Sequence, residues 1–451
     1  MNGKLKKIIL LLGDIGVLYL SLYLTLLLRY QKAPHTGDWQ SHFTPFTTVF
    51  LFWPIIFYIS DLYNLHLAIN NARFFQLTAR AGGIASLISA AYFYLNPGIS
   101  IAPKTNLLIY IAVFFLIFFL WRRIFNWFLV SHLAKEKIAF VGCNNQVKEL
   151  IYYLQNRPHL GYEVEMIASN NLMDKIDGIF TTQEVKNLGK TIAERKISTI
   201  VLAADPHQSG ELRQSLFACL PLNINIISLP NFYEAITGKI PIESINQMWF
   251  LENLNEGRKI WFNLLKRFSD IIMAAILLVL SAPFWFLIAL IIKLESRGNA
   301  FYISRRQGKG ERVFGLIKFR SMREEGNDRR ITEKNDSRIT RFGGFMRRTR
   351  IDEIPQLINI LKGDMSFIGP RPERPELIGD LVENIPFYRE RLLVKPGLSG
   401  WAQVNEYHSP TLEDTLKKLQ YDLYYVKNRS LYLDFAIFLK TIATVARQMG
   451  R

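Results

Sequence analysis

Apolar positions run almost unbroken over residues 8–28, long enough to cross a bilayer of about 30 Å at 1.5 Å per residue. Further apolar runs fall near residues 46–62, 81–95 and 107–121, the third of the four being short and carrying Gly82 and Gly83. The pattern predicts a four-helix transmembrane bundle over residues 1–130. The first run lacks a small-residue cleavage site, which predicts an anchor rather than a removed signal peptide. Lys4, Lys6 and Lys7 precede the first span, Arg73 and Arg80 separate the second from the third, and Arg122 and Arg123 follow the fourth. The other two connections carry mainly Lys32 and Lys104, so both ends of the bundle are expected on the cytoplasmic side. Asp14, inside the first run but near its edge, is expected to pair helices or snorkel rather than mark an ion path.

From about Lys135 the pattern changes to short β-branched runs alternating with polar helical ones. Residues 138–141, 162–168, 199–203 and 224–229 predict strands, and 146–155 and 210–219 predict the helices between them. Such alternation predicts a small parallel α/β, Rossmann-like domain over residues 135–250. Its first strand ends in Val141-Gly142-Cys143-Asn144-Asn145, where a dinucleotide fold would place glycines at three spacings and only Gly142 is present. A structural, dimer-forming or regulatory role is therefore favoured here over cofactor binding.

Residues 271–292 again suffice to cross a membrane, but their flanks object. Arg258, Lys259, Lys266 and Arg267 precede them, and residues 297–350 hold 16 Lys+Arg against 6 Asp+Glu, a net +10. Both flanks prefer the cytoplasm. Pro283, close behind Ser281, breaks or kinks a helix, and the Ser281 hydroxyl or a lipid head group could satisfy the freed carbonyls. A re-entrant helix hairpin over about 264–295 reconciles length, proline and charge; a kinked fifth span is the alternative. Residues 421–449 suit a helix in the membrane interface or an amphipathic helix buried in a domain.

Composition sharpens this reading. The 451 residues allow two or three folded units, and 49% hydrophobic residues with a mean hydropathy of +0.10 indicate a membrane protein. The net charge of +17 suits anionic lipid, nucleic acid or a phosphorylated substrate. Cys143 and Cys219 form neither a disulfide framework nor a metal cluster.

The candidate chemistry lies beyond Arg297. Lys318-Phe319-Arg320-Ser321-Met322 follows a predicted strand and sets two cations two residues apart, a spacing that aims both at one face and could hold a diphosphate. Asp336-Ser337-Arg338-Ile339-Thr340-Arg341 comes next, then Arg347-Arg348-Thr349-Arg350-Ile351-Asp352-Glu353-Ile354-Pro355-Gln356. Gly363 to Glu373 closes the series with Gly369-Pro370-Arg371-Pro372-Glu373. Taken alone, Asp352-Glu353 could be acids favoured in the first turn of a helix, with Pro355 tolerated there. Together, adjacent carboxylates, many arginines and a rigid Gly-Pro-Arg-Pro turn beside a membrane anchor are what phosphoryl transfer requires.

From about Arg258 to Arg451 the chain resembles the bacterial sugar transferase family, the polyprenyl-phosphate hexose-1-phosphate transferases. The resemblance rests on Lys266-Arg267-Phe268-Ser269-Asp270, the Lys318–Met322 segment, Asp352-Glu353-Ile354-Pro355-Gln356, Gly369-Pro370-Arg371-Pro372-Glu373 and the stretch from Lys395 to Asn405. Four spans and a middle α/β domain also resemble the family's larger form. Two positions depart from the usual pattern: Glu406 stands where glycine is common, and Arg350-Ile351 replaces Ser-Leu before the acidic pair.

The resemblance implies a monotopic α/β catalytic domain over residues 258–451, with Asp352 as nucleophile on the β-phosphate of a UDP-sugar. UMP would leave, and undecaprenyl phosphate would then take the phosphosugar, the first membrane step of exopolysaccharide, capsule or O-antigen synthesis at the bacterial inner membrane. Mg²⁺ is expected, held by Asp352 and Glu353, with Lys318, Arg320, Arg341 and Arg371 as the phosphate clamp and Glu373 orienting Arg371 or touching the sugar. An ordinary aspartate, titrating near 3.9, would already be ionised. The expected partners are UDP-sugar, undecaprenyl phosphate and membrane lipid, not nucleic acid; glucose or galactose is the favoured sugar, and a homodimer is left open. Rival readings are a nucleotide-sugar-modifying enzyme using the middle domain, which lacks the dinucleotide fingerprint, and a non-enzymatic basic scaffold, which leaves the ordered motifs unexplained.

Overall fold

The computed structural model describes residues 3–98, 101–131, 135–169, 178–183, 188–205, 209–254, 259–323, 336–405 and 411–446. They form two compact units, Met1–Leu229 and Pro230–Arg451.

The first unit begins with five helices: α1 (Gly3–Tyr30), α2 (Thr36–Phe50), α3 (Trp53–Ile59), α4 (Ala72–Leu95) and α5 (Ile101–Ser131). Stretches Leu5–Tyr30, Thr36–Ile59 and Lys104–Leu129 are long and apolar enough to cross a membrane. The third expected span, α4, is helical over 24 residues, but Gln76, Thr78 and Arg80 dilute its first half and it falls short of that apolarity. Aromatic rings fill the bundle, with Trp53 edge-on to Phe114 at 4.6 Å and Phe57 stacked on Phe118 at 4.8 Å. Where α1 and α5 meet, a Cβ on Gly13 would stand 1.9 Å from the Trp121 ring, so only glycine lets the helices approach. Asp14 completes that contact: Arg122 pairs with it at 2.6 Å and the Trp121 indole donates to it at 3.0 Å. The carboxylate pairs helices.

A parallel sheet of order β3-β2-β1-β4-β5 follows, made of β1 (Glu136–Val141), β2 (Tyr162–Ala168), β3 (Phe180–Thr182), β4 (Thr199–Leu202) and β5 (Asn225–Ser228). Helices α6 (Asn145–Gln155), α7 (Leu188–Arg195) and α8 (Gly210–Cys219) connect these strands. Asn144 and Ser209 cap α6 and α8 by accepting from Val147 N and Leu212 N. Four strands and two helices match the sequence pattern; β3 and α7 are short and polar, which hid them. Gly142 adopts φ +93°, and a Cβ there would lie 2.6 Å from Ala204 N. Its role is the tight turn between β1 and α6.

The second unit opens with α9 (Leu229–Thr237) and α10 (Gln247–Asn253). These residues were expected with the parallel sheet. They pack here instead, because Ile240, Trp249 and Phe250 bury their apolar sides against Ile385, Leu419 and Leu423. Then come α11 (Ile260–Glu295), β6 (Phe301–Gln307), β7 (Val313–Phe319), α12 (Arg341–Thr349), α13 (Gln356–Lys362), β8 (Ser366–Ile368) and α14 (Pro375–Asn384). β9 (Gly397–Ser399), α15 (Trp401–Asn405), α16 (Leu412–Asn428) and α17 (Leu431–Ala446) complete the unit. β6 and β7 form an antiparallel hairpin, and β8 pairs with β9 in parallel.

Helix α11 continues through Ser281 and Pro283 as one helical segment of 36 residues. Ser281 donates to Leu278 O at 3.2 Å rather than to Val279 O, the carbonyl that Pro283 leaves free, and the Trp285 indole donates to Ser281 at 3.1 Å. Its first half is fastened by Lys266 to Asp434 (2.6 Å), by Arg267 to Ile360 O and Leu361 O (2.6 and 2.8 Å), and by Asp270, which accepts from Phe367 N. Its second half is fastened as well: Trp285 packs on Phe301 and Phe319, and Glu295 accepts from Phe342 N. The C-terminal helix α17 is amphipathic and packs one side into the domain, in line with the second expectation for its segment. Leu433 and Ile437 are buried in the core while Leu431, Tyr432 and Phe435 stay exposed on the outside. Residues 447–449 lie outside the described set.

Candidate active site

Local chemistry places the acidic pair. Thr340 caps α12 by accepting from Gly343 N, and a Cβ on Gly343 would sit 2.0 Å from Ser321 O, so the helix start fits tightly against the Lys318–Met322 segment. Arg350 ends α12 in the left-handed region at φ +57°, which folds Ile351, Asp352 and Glu353 into a 3₁₀ turn ahead of α13. The pair therefore precedes the helix instead of occupying its first turn. Asn359 of α13 locks the turn to β7: its side chain accepts from Ile317 N at 3.1 Å and donates to Gly315 O at 2.8 Å. Arg267 covers the last carbonyls of α13, which makes this cation of α11 an anchor rather than a reactant.

Glycines position the opposite wall. A Cβ on Gly369 would lie 2.4 Å from Lys395 O, one on Gly397 2.1 Å from Gly369 N, and one on Gly400 2.4 Å from Gly369 O. Three glycines thus bring β8 and β9 into contact and fix the Pro370–Pro372 turn that carries Arg371. From behind, Arg391 donates to Arg371 O at 2.9 Å and is itself held by the buried Asp422 at 2.8 Å.

Glu353 receives three cations. Lys318 Nζ lies 2.9 Å and Arg371 3.2 Å from Oε1, and Arg350 lies 3.3 Å from Oε2. Burial by itself would raise this carboxyl, but Lys318, Arg371 and Arg350 outweigh it and hold Glu353 well below the usual carboxylate range. Asp352 is also buried, at 8% exposure, yet among the described residues no side chain hydrogen-bonds or ion-pairs with it. Burial and then the Glu353 charge push it up to about 6, against the pull of Lys318, Arg347 and Arg371. The ordinary aspartate titration expected from the sequence does not survive this environment. Burial lowers Lys318, with Glu353 opposing, whereas Glu353 raises Arg371. Two carboxylates among four cations leave a surplus of positive charge suited to a diphosphate.

Of the expected clamp, Lys318 and Arg371 reach the acidic pair. Arg320 does not: it is 4% exposed and donates to Ser296 O at 2.8 Å, tying the end of β7 to the end of α11. Arg341 has an exposed side chain on the first turn of α12 and stays apart from the pair. Glu373 lies in the field of Arg371 and adds to the raising of that group, and its backbone carbonyl accepts from Gln307 N. Glu406 lies outside the described residues. The sequence reading takes Arg347 and Arg350 only as part of an arginine-rich run and not as members of the clamp, although they flank the pair; it does not single out Arg391 and Asp422. The spacing of Arg347 and Arg350, one helical turn apart at the end of α12, was the available signal.

Among the described residues no group of three or more metal-ligating side chains is present. The donor set still fits Mg²⁺, which commonly takes one or two carboxylates plus phosphate oxygens and water. Among the described residues Asp352 offers an unpaired carboxylate, whereas both Glu353 oxygens already accept from cations.

Residues 261–448 match the family described as bacterial sugar transferase. A UDP-glucose:undecaprenyl-phosphate glucose-1-phosphate transferase of Xanthomonas campestris pv. campestris is 31% identical over 69% of this chain and 67% of its own length. The chain belongs to the bacterial sugar transferase family. This sugar transferase is also 38% identical to a UDP-N-acetylgalactosamine-undecaprenyl-phosphate N-acetylgalactosaminephosphotransferase of Aeromonas hydrophila, over 54% of this chain and 58% of that protein. An exopolysaccharide production protein of Rhizobium leguminosarum bv. phaseoli is 39% identical, with 94% of its length aligned to 40% of this sugar transferase.

Proposed function

We propose that the second unit is a phosphoglycosyl transferase that moves a sugar 1-phosphate from a UDP-sugar to undecaprenyl phosphate through a covalent intermediate on Asp352. The observation that carries this reading is the asymmetry of the acidic pair. Glu353 is saturated with cations and fixes them in place, while its buried neighbour has no hydrogen-bond or ion-pair partner among the described residues and presents a free carboxylate.

In the first step a carboxylate oxygen of Asp352 attacks the β-phosphorus of the UDP-sugar. The bond from that phosphorus to the bridging oxygen breaks, and UMP departs with the electron pair. In the second step a phosphate oxygen of undecaprenyl phosphate attacks the same phosphorus, the bond to Asp352 breaks, and the carboxylate is restored. Both nucleophiles are anions, so no proton need move. Lys318, Arg371 and Arg347 lower the repulsion between anions; Glu353 holds Lys318 and Arg371 in place, and Arg350, its third partner, ties it to the turn. Mg²⁺ would be held by Asp352, the expected share from Glu353 being taken up by its three cations, and would neutralise diphosphate charge. The named relatives differ in the sugar they carry, so a panel of UDP-sugars is the way to identify the donor.

The acceptor is a lipid, and α11 accounts for its delivery. Both halves of this helix are fastened to one unit, through Arg267 and Asp270 at one end and Trp285 and Glu295 at the other. This fastening supports a helix that dips into the bilayer and bends back at Ser281 and Pro283 with both ends on one side, which would keep the site on the cytoplasmic face of the inner membrane. The test is isotope exchange without lipid acceptor. Labelled UMP should pass into the UDP-sugar pool by reversal of the first step; direct transfer to lipid would give no exchange.

A further inference from the structure

A cavity of about 350 Å³ opens in the first unit, where the membrane bundle meets the α/β sheet domain. It has two kinds of wall. Leu67, Ile69, Phe74 and Leu77 line it from the connection before α4 and from the first turns of that helix; Asn156 and Arg157 line it from the end of α6. The two sides are joined, because Tyr153 and His66 share a hydrogen bond of 3.0 Å and Lys6 donates to Leu160 O at 3.0 Å.

Arg157 is the decisive group. Its guanidinium lies over the Tyr153 ring, 3.9 Å from the centroid, and among the described residues it has no carboxylate partner. Asn71, which caps α4, also lines the cavity, so the positive end of a 24-residue helix borders it. Beside Arg157 stands His159, 2% exposed, with Nε2 lacking any hydrogen-bond partner among the described residues. The volume is at the low end for a small-molecule site, which suits a head group and the first atoms of its chains. The connection between α3 and α4 is where the chain leaves the helical bundle and re-enters it, at an end of the apolar stretch Thr36–Ile59, a position that suits contact with lipid phosphates.

We propose that this cavity binds an anionic, phosphate-headed membrane lipid, Arg157 taking the uncompensated phosphate charge and Phe74 and Leu77 the start of the hydrocarbon. The site is separate from the acidic pair and does not depend on the reaction assigned to it. Its test is the thermal stability of the full chain in detergent micelles titrated with phosphatidylglycerol, undecaprenyl phosphate, phosphatidylcholine or inorganic phosphate. Either anionic lipid should raise the melting temperature, whichever acts at lower concentration being the natural occupant, while zwitterionic lipid and inorganic phosphate should not. Arg157→Gln should weaken the apparent affinity about fivefold. Leu77→Trp, which fills the apolar side without touching charge, should weaken it too, and Arg157→Lys should recover part of it. An equal response in wild type and both weakening variants, the same shift with inorganic phosphate alone, or no shift with any lipid would overturn the proposal.

Discussion

Two buried acids in this chain meet opposite fates. Asp14, at 0% exposure in the bundle, is closed off by one guanidinium and one indole, and Arg122 is further satisfied by Leu62 O. Asp352, at 8%, sits among more cations than it needs, yet they are claimed by its neighbour Glu353. A buried charge that is matched one to one serves packing. A buried charge left beside an unspent surplus of the opposite sign is prepared for a second anion, and here the surplus fits a diphosphate. Sequence sets Asp352 beside arginines but leaves Asp14 among apolar residues, its partner Arg122 lying 108 positions away; the structure shows both acids buried near guanidinium groups, and the partner count separates them.

The sharpest break of this comparison is removal of each acid. Asp352→Asn should lower UMP release by more than about a thousandfold, as loss of a nucleophile does. It should also leave the melting temperature unchanged or slightly higher. Since the folded state raises this group's pKa, burying it ionised costs stability above about pH 6, and a neutral isostere removes that cost. Asp14→Asn should do the reverse. It leaves Arg122 buried without its counter-charge and should cost about 3–5 kcal/mol of stability, read as a fall in melting temperature, with activity per folded molecule kept. Loss of activity in both variants at equal stability would erase the distinction.

Next in size is the clamp. Lys318→Met should reduce turnover about a hundredfold, because a fixed cation on the reacting phosphate is lost. Arg341→Ala, in contrast, should fall within about threefold of wild type in the same UMP-release assay, since its side chain points to solvent. The smallest effect is a shift of the acid limb. Activity requires ionised Asp352, so the rate should fall as pH drops through about 6, rather than near the usual aspartate value. Lys318→Met should move that limb upward, because Lys318 pulls the Asp352 pKa down.

Much of this was legible in the chain. Apolar runs longer than a bilayer is thick announce helices whatever surrounds them, and β-branched runs ending at Gly142 announced β1 and its neighbours. The adjacent acids and the Gly369-Pro370-Arg371 turn were visible because their geometry is local. What escaped has a common cause. Arg347, Arg350 and Arg391 look like any surface arginine until α12 ends in a left-handed residue and β8 meets β9; their partners lie far away in sequence or depend on that turn. Arg320 erred in the other direction, since a two-residue spacing predicts a shared face only within a strand, and β7 ends at Phe319; Arg341, named through the family resemblance, has its side chain exposed on α12. Trp249 and Phe250 looked like the close of the α/β sheet domain, but their apolar sides belong to α14 and α16.

The central claim is a bond between Asp352 and phosphorus, and its direct measurement is mass analysis of peptides from enzyme quenched during turnover with UDP-sugar and no lipid acceptor. The peptide containing Asp352 should gain the mass of one sugar phosphate, lose it when undecaprenyl phosphate is added before quenching, and show none in Asp352→Asn. An unmodified Asp352 peptide, together with glycolipid still formed by Asp352→Asn, would contradict the account.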